Sequence, residues 1–138
     1  MASCTDVEFA VSDGTVLRGR HYRPAGDRRA PVVVMSHGFG VVLQMALPPV
    51  AEAFADAGLG VLLYDHRNLG ASDGEPRQEV DPAAQLADAR DALSVAQGLP
   101  GADPAQIGRC PPAVRRGPGR PTAWRTARVG TDRAGRDR

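Results

Sequence analysis

The sequence predicts an α/β fold: a mostly parallel sheet with flanking helices, joined at its N-terminal side to an antiparallel hairpin. Three observations predict it. "PVVVMS" (31–36) and "LGVLLYD" (59–65) are short continuous apolar runs, as in strands buried on both faces. Stretches with helical start and stop signals alternate with these runs. Ahead of them, apolar and polar residues alternate on either side of Asp13-Gly14, the pattern of a hairpin. Strands alternating with helices place the helices on the faces of a parallel sheet.

The elements follow in order. In "VEFAVSDGTVLRGRHY", Val7, Phe9 and Val11 alternate with polar or small residues, and Val16 to Tyr22 is the return strand. Asp13-Gly14 supplies the positive φ of a tight turn. "RPAGDRRA" is a polar loop, "PVVVMS" a strand, and "HGFG" (37–40) a tight loop. "LPPVAEAFADAG" (47–58) reads as a helix with Pro48 or Pro49 in its first turn and Gly58 as its stop. Val50, Phe54 and Ala57 form its expected buried face. "LGVLLYD" is the next strand, and "HRNLGASDGEPRQEV" a loop. "DPAAQLADARDALSVAQG" (81–98) is the clearest helix: Asp81 caps it, Pro82 fits its first position and Gly98 ends it. Leu86, Ala89, Leu93 and Ala96 form its expected apolar stripe. "PGADPAQIG" is a loop leading into a strand at Ile107.

Charge divides the chain at one point. Residues 1–108 carry 8 Arg against 14 Asp and Glu, net −6, whereas residues 109–138 carry 9 Arg against 2 Asp, net +7. The chain has no lysine. The last 30 residues hold 8 Gly or Pro and no Leu, Ile or Phe. Such a segment cannot bury enough apolar surface to offset its ordering entropy, so 109–138 is expected to be a disordered tail behind a domain of residues 1–108. Cys4 and Cys110 make neither a disulfide framework nor a metal spacing. No secretory leader and no membrane-length apolar run is evident, so a cytoplasmic protein is expected.

Several constellations carry possible chemistry. "GASDG" (70–74) fits G-x-S-x-G, the pattern of a serine nucleophile on a strand-to-helix elbow. Here the preceding strand ends near Asp65 and the next helix starts near Asp81, so Ser72 reads as a turn residue. The histidines are His21, His37 and His66, and none follows Ser72. A triad in the order Ser, acid, His cannot be assembled around it. "SHGFG" (36–40) is a glycine turn after a strand, with N–H groups able to meet a developing oxyanion. The rival reading is dinucleotide binding through Gly38 and Gly40, with Asp65 ending the next strand; Leu43 stands where a third glycine belongs. His37, Asp65 and His66 match no compact metal motif. The Arg-rich tail could track a phosphate backbone, but only Trp124 offers a stacking surface, and nucleic acid is not the expected partner.

"DGTVLRGRHYRP", "PVVVMSHGFG" and "FADAGLGVLLYDHRNLGASDGEPR" together resemble the N-terminal half of the α/β-hydrolase superfamily, over roughly residues 6–108. The likeness is to its serine aminopeptidase-like, X-Pro dipeptidyl-peptidase-like and dienelactone-hydrolase-like branch. The resemblance implies that His37, Gly38 and Gly40 shape the loop after the third strand, with the Phe39 N–H in the oxyanion hole. It also implies that Asp65, Arg67, Gly70 and Ser72 are structural residues of a D-x-R-G-x-G-x-S loop. Asn68 replaces that loop's first glycine, and Asn tolerates the left-handed region.

The resemblance implies ester, thioester or amide hydrolysis, or acyl transfer, through a serine acyl-enzyme, with a small acyl substrate and no cofactor. After "DPAQIG", however, the family's apolar strand and G-x-S-x-G elbow are replaced by "RCPPAVRRGPG". No catalytic residue is therefore assigned in this chain, which is expected to be inactive. The abrupt change reads as translation in a shifted frame of GC-rich DNA. Without a fifth strand, "PVVVM" is expected to present an unpaired, aggregation-prone edge.

Overall fold

The computed structural model describes residues 2–36 and 47–109. Among these residues the elements are β1 (Ser3–Ala10), β2 (Val16–Arg23), β3 (Ala30–Ser36), α1 (Leu47–Asp56), β4 (Gly60–Tyr64), α2 (Pro82–Gln97) and β5 (Ala102–Arg109). They form one five-stranded sheet in the order β1-β2-β4-β3-β5. β2 pairs antiparallel with both β1 and β4, whereas β3 pairs parallel with both β4 and β5. The α/β class with a hairpin edge is the architecture expected. The "HGFG" loop and residues 110–138, the bulk of the expected tail, lie outside the described residues.

The hairpin closes because Gly14 reaches φ 88°, and its N–H donates to the Val11 carbonyl at 2.8 Å. Positive φ is needed at Gly14 alone, since Asp13 instead accepts the Thr15 N–H on Oδ1 at 3.0 Å. Gly19 lets the hairpin meet the parallel strands. It lies opposite Tyr64, and a Cβ there would collide with the Leu63 carbonyl and with Tyr64 itself.

Strand alternation sends side chains to two cores. One contains Phe9, Leu17, Val32, Val34, Leu62, Tyr64 and Ile107, with Ala92 and Ala96 of α2 packed on them. The other contains Tyr22, Met35, Val61 and Leu63 beneath Ala51 and Ala55 of α1. α1 ends as expected at Gly58, where φ is 93°. Its last carbonyls are satisfied in a Schellman motif: Leu59 N–H donates to Phe54 and Gly58 N–H to Ala55. α2 is capped by Asp81, whose side chain accepts the Ala84 N–H at 3.1 Å. No helix among the described residues is long and apolar enough to cross a membrane.

The structure corrects three expectations. Of the expected helix faces, Ala89 and Ala96 are buried and Phe54 and Leu93 pack against the core, but the remaining three residues are not inside. Val50 and Leu86 are exposed, Ala57 is exposed, and α1 and α2 meet the sheet through alanines. Small residues let a helix sit close to a sheet, and the larger side chains then fall at the margin.

β5 begins at Ala102 rather than Ile107 and includes Arg109, a residue expected in the tail. It pairs with β3 at Ala30↔Ala102 and again at Val32↔Ile107, Val33↔Gly108 and Val34↔Arg109. Residues 103–106 bulge between these pairings, with Asp103 accepting from Ala105 N–H and Gln106 Nε2. β3 is therefore flanked on both sides and does not present the unpaired edge. Among the described residues the outer strand on that side is β5.

Candidate active site

Ligands of open α/β sheets bind outside the carboxyl ends of the strands, where the strand order reverses. Here β3 is followed in sequence by β4 on one side of it and then by β5 on the other, so that point lies between β3 and β5. Ser36, Tyr64 and Arg109 end the three strands there. The loop after β4 rises from the same end.

That loop is built by its own side chains. The Asp65 carboxylate accepts the Ala71 N–H at 2.9 Å. Gly70 has φ 54°, and any side chain on it would strike that carboxylate. Asn68 takes φ 66°, in the left-handed region its type tolerates, and its side chain donates to the Glu79 carbonyl at 3.2 Å. Arg77 donates to the carbonyls of Ser72 at 2.6 Å and Gly70 at 2.9 Å.

Ser72 is 2% exposed. Its hydroxyl donates to the Asp65 carbonyl at 2.6 Å and accepts the Arg18 N–H at 2.9 Å. A hydroxyl committed in both directions and closed to solvent joins the loop to β2. The Arg18 guanidinium adds bonds to the Ala71 carbonyl and to Asp73 at 2.9 and 2.6 Å.

Arg67 points the other way, under α2. Its guanidinium makes a two-pronged pair with Asp88, at 2.7 and 2.6 Å, and donates to Asp13 at 2.8 Å. The Asp88 hydrogen bonds, foremost, hold the guanidinium above its ordinary pKa. Asp13 is held at about 2, first by the Thr15 N–H and then by Arg67. Ser12 donates through both its N–H and its hydroxyl to Asp91, at 2.9 and 2.7 Å. The hairpin turn, the loop and α2 are thus fastened at one corner.

Asp88 escaped the sequence reading, although a signal for it exists. Asp88, Ala92 and Ala96 recur at a spacing of four, which puts a carboxylate in line with an alanine stripe. Buried carboxylates of that kind require a cation, and Arg67 is the cation at hand.

His66 is buried beside Tyr64, their rings edge to face at 5.8 Å, and Phe9 meets the other side of Tyr64 at the same distance. Burial raises the Tyr64 phenol above its ordinary pKa, against the pull of Arg109 and of the Ser36 hydroxyl. His21 lies on β2, away from these residues in register, and burial followed by Arg23 keeps its pKa low. The structure therefore brings together Asp65, Arg67, Gly70 and Ser72 as one loop. His37, Gly38, Phe39 and Gly40 lie outside the described residues. Among the described residues no three metal-ligating side chains gather in one place.

Residues 13–131 match the model of the X-Pro dipeptidyl-peptidase (S15 family). The chain belongs to this family. It is 47% identical over 104 residues to a thiohydrolase of Aspergillus aculeatus, covering 75% of this chain and 32% of the relative. It is 49% identical over 89 residues to a polyketide transferase of Aspergillus fumigatus, covering 64% of this chain and 30% of the relative. The crystal structure of an α/β hydrolase from a Penicillium species superposes with a TM-score of 0.69 at 36% identity, covering 78% of this chain and 36% of that one. The fold is that of the α/β hydrolases, and the chain spans about a third of the length of the curated relatives it matches.

Proposed function

We propose that these residues are the N-terminal part of a serine-type acyl hydrolase or acyltransferase, and that the chain as it stands does not complete the reaction. The family and the α/β-hydrolase fold support the reaction class, and the names of the relatives, a thiohydrolase and a polyketide transferase, support a thioester-linked acyl substrate. In this reading the parent enzyme's nucleophile is a serine that residues 1–138 do not supply, and it attacks the acyl carbonyl. A histidine takes its proton, the Phe39 N–H receives the developing oxyanion, and water or a second nucleophile releases the acyl group.

One observation carries the second half of the proposal. Ser72, the only serine of the chain in a G-x-S-x-G pattern, spends its hydroxyl on Asp65 and Arg18 and is closed to solvent. The sequence holds no histidine beyond His66. The test is to treat the purified chain with a fluorophosphonate probe and with an activated acyl thioester. Neither labelling nor turnover is expected. Labelling of Ser72 would overturn the assignment.

The change of composition at residue 109 supports a shifted reading frame. Sequencing the DNA across codons 105–115 and about 600 bases beyond tests it. Recovery of a G-x-S-x-G elbow with a downstream Asp and His in a neighbouring frame is the expected result. An intact frame would sink the idea.

A further inference from the structure

We infer that His21 is an acid-sensitive latch, whose protonation loosens the seam between the hairpin and the parallel strands. Strand register sets that seam. β2 meets β4 through four residue pairs, Gly19↔Tyr64, Arg20↔Leu63, His21↔Leu62 and Tyr22↔Val61, and His21 is the one member whose charge changes near neutral pH. On its other side His21 faces Thr5 of the outer strand β1. The two ends of the hairpin are held unequally. Its turn end is tied to the rest of the chain by Arg67 on Asp13, by Ser12 on Asp91 and by the Arg18 N–H on Ser72. At its open end, among the described residues, no side-chain hydrogen bond or ion pair of His21, Tyr22 or Arg23 reaches beyond the hairpin. The Arg23 guanidinium lies against Gly101, where a Cβ would strike its Nε.

The imidazole stands where charge is unwelcome. It is 5% exposed and shares its face with Ser3, Thr5 and Val7 of β1 and with Gly60, Leu62 and Tyr64 of β4. None of these carries charge near neutral pH, since burial keeps the Tyr64 phenol protonated. On α2, Asp88 is taken up by Arg67 and Asp91 by Ser12, both at the turn end, and Arg90 is exposed. Arg23, two residues along β2 on the same face, is the charged group that bears on the ring, and it repels a second cation. Burial first and Arg23 second therefore hold the His21 pKa below its ordinary 6.5. The stabilisation that comes with a neutral ring is complete above 6.5 and is lost as the pH falls below it. Tyr22, buried on the opposite face beneath α1, keeps the hairpin in place, so acid raises the frequency of opening rather than releasing the strand.

The latch goes beyond the acyl-transfer reading and does not rest on it, because opening requires no nucleophile. The test is amide hydrogen exchange of the full chain by NMR, from about pH 7.5 down to about pH 5.5, with rates corrected for the intrinsic effect of pH. Protection of the amides of residues 20–23 should fall with acid, by at most about tenfold per pH unit, the limit for one proton. Protection of residues 16–18, next to the tied turn, should fall less. In His21→Gln, uncharged at every pH, the response at 20–23 should vanish. An undiminished response in His21→Gln, or an equal fall at 16–18, overturns the latch. The imidazole titration of the parent chain decides the matter even where the variant does not fold. A His21 midpoint below 6.5 is expected, moving up toward 6.5 in Arg23→Gln, and a midpoint at or above 6.5 in the parent chain overturns the inference.

Discussion

On the face of the sheet beneath α2, Ala89, Ala92 and Ala96 pack on the apolar core, and Asp88 sits among them paired to Arg67. On the face beneath α1, Ala51 and Ala55 make the same kind of close contact with Met35, Val61 and Leu63. On the α2 side, directed bonds are added to that contact. α2 is tied through Asp88 to the loop after β4 and through Asp91 to the hairpin turn. Hydrophobic contact fixes which face is buried but is tolerant of sliding, whereas a two-pronged ion pair fixes angle and depth. Through these directed bonds α2 orients the loop at the carboxyl end of the sheet.

Removing Asp88 is the largest way to break this contrast. Asp88→Ala leaves the Arg67 guanidinium, only 16% exposed, with Asp13 as its partner. Loss of one member of a buried pair costs about 3 to 5 kcal/mol, and retention of Asp13 favours the lower end. Urea denaturation of Asp88→Ala beside the parent chain measures it. Asp88→Asn, of the same shape, should recover part of the loss; a change below about 1 kcal/mol in Asp88→Ala would erase the distinction between the faces.

Ser72 comes next. Ser72→Ala strands the Arg18 N–H and removes the donor to the Asp65 carbonyl, which together should cost about 2 kcal/mol. The same denaturation experiment reads it. Fluorophosphonate labelling of the parent chain at this residue would show a hydroxyl free to react rather than one holding β2 to the loop.

The alternation of strands and helices was legible because each strand is a continuous apolar run and each helix has its own punctuation. Asp81, Pro82 and Gly58 are local signals, and local chemistry answers them. The helix faces were legible only in part: Ala89, Leu93, Ala96 and Phe54 meet the core as read, but packing between a helix and a sheet selects close approach over side-chain size. Ala51, Ala55, Ala92 and Ala96 go inside and leave Val50 and Leu86 at the margin. The start of β5 was hidden by Asp103 and Pro104, which belong to a bulge that the register with β3 tolerates. The loop after β4 was read as structural by its spacing and resemblance, but its dependence on Arg18, Arg77 and Asp88 is a matter of tertiary placement. No period in the sequence brings Arg18 to Ser72, 54 residues away.

Smaller effects sharpen the picture of α2. Asp81→Ala removes the acceptor of the Ala84 N–H and should cost about 1 kcal/mol, with Asp81→Asn nearly neutral. Asp13 adds a pH dependence. Its carboxyl is held at about 2 in the folded chain, below its ordinary 3.8. The stabilisation is complete above 3.8 and is lost as the pH falls from there toward about 2. Thermal midpoints across that range should fall less steeply in Asp13→Asn than in the parent chain. Identical slopes would mean that the contact between the turn and Arg67 does not persist in solution.

The smallest effect separates the two readings of α2. If Leu86 belonged to the buried stripe, as its spacing from Ala89, Leu93 and Ala96 suggests, truncating it would open a cavity and cost about 2 to 5 kcal/mol. The structure leaves Leu86 49% exposed, with Ala92 taking the central position instead. Leu86→Gln keeps the helix propensity and the unbranched β-carbon, so it tests burial rather than helix formation. A change within about 0.5 kcal/mol is expected, as for other surface positions. A loss of core size would rotate α2 toward Leu86, and that rotation would draw Asp88 away from Arg67. The two results are therefore coupled. A large penalty at residue 86 requires a small one at residue 88, and finding both large would contradict either placement of the helix.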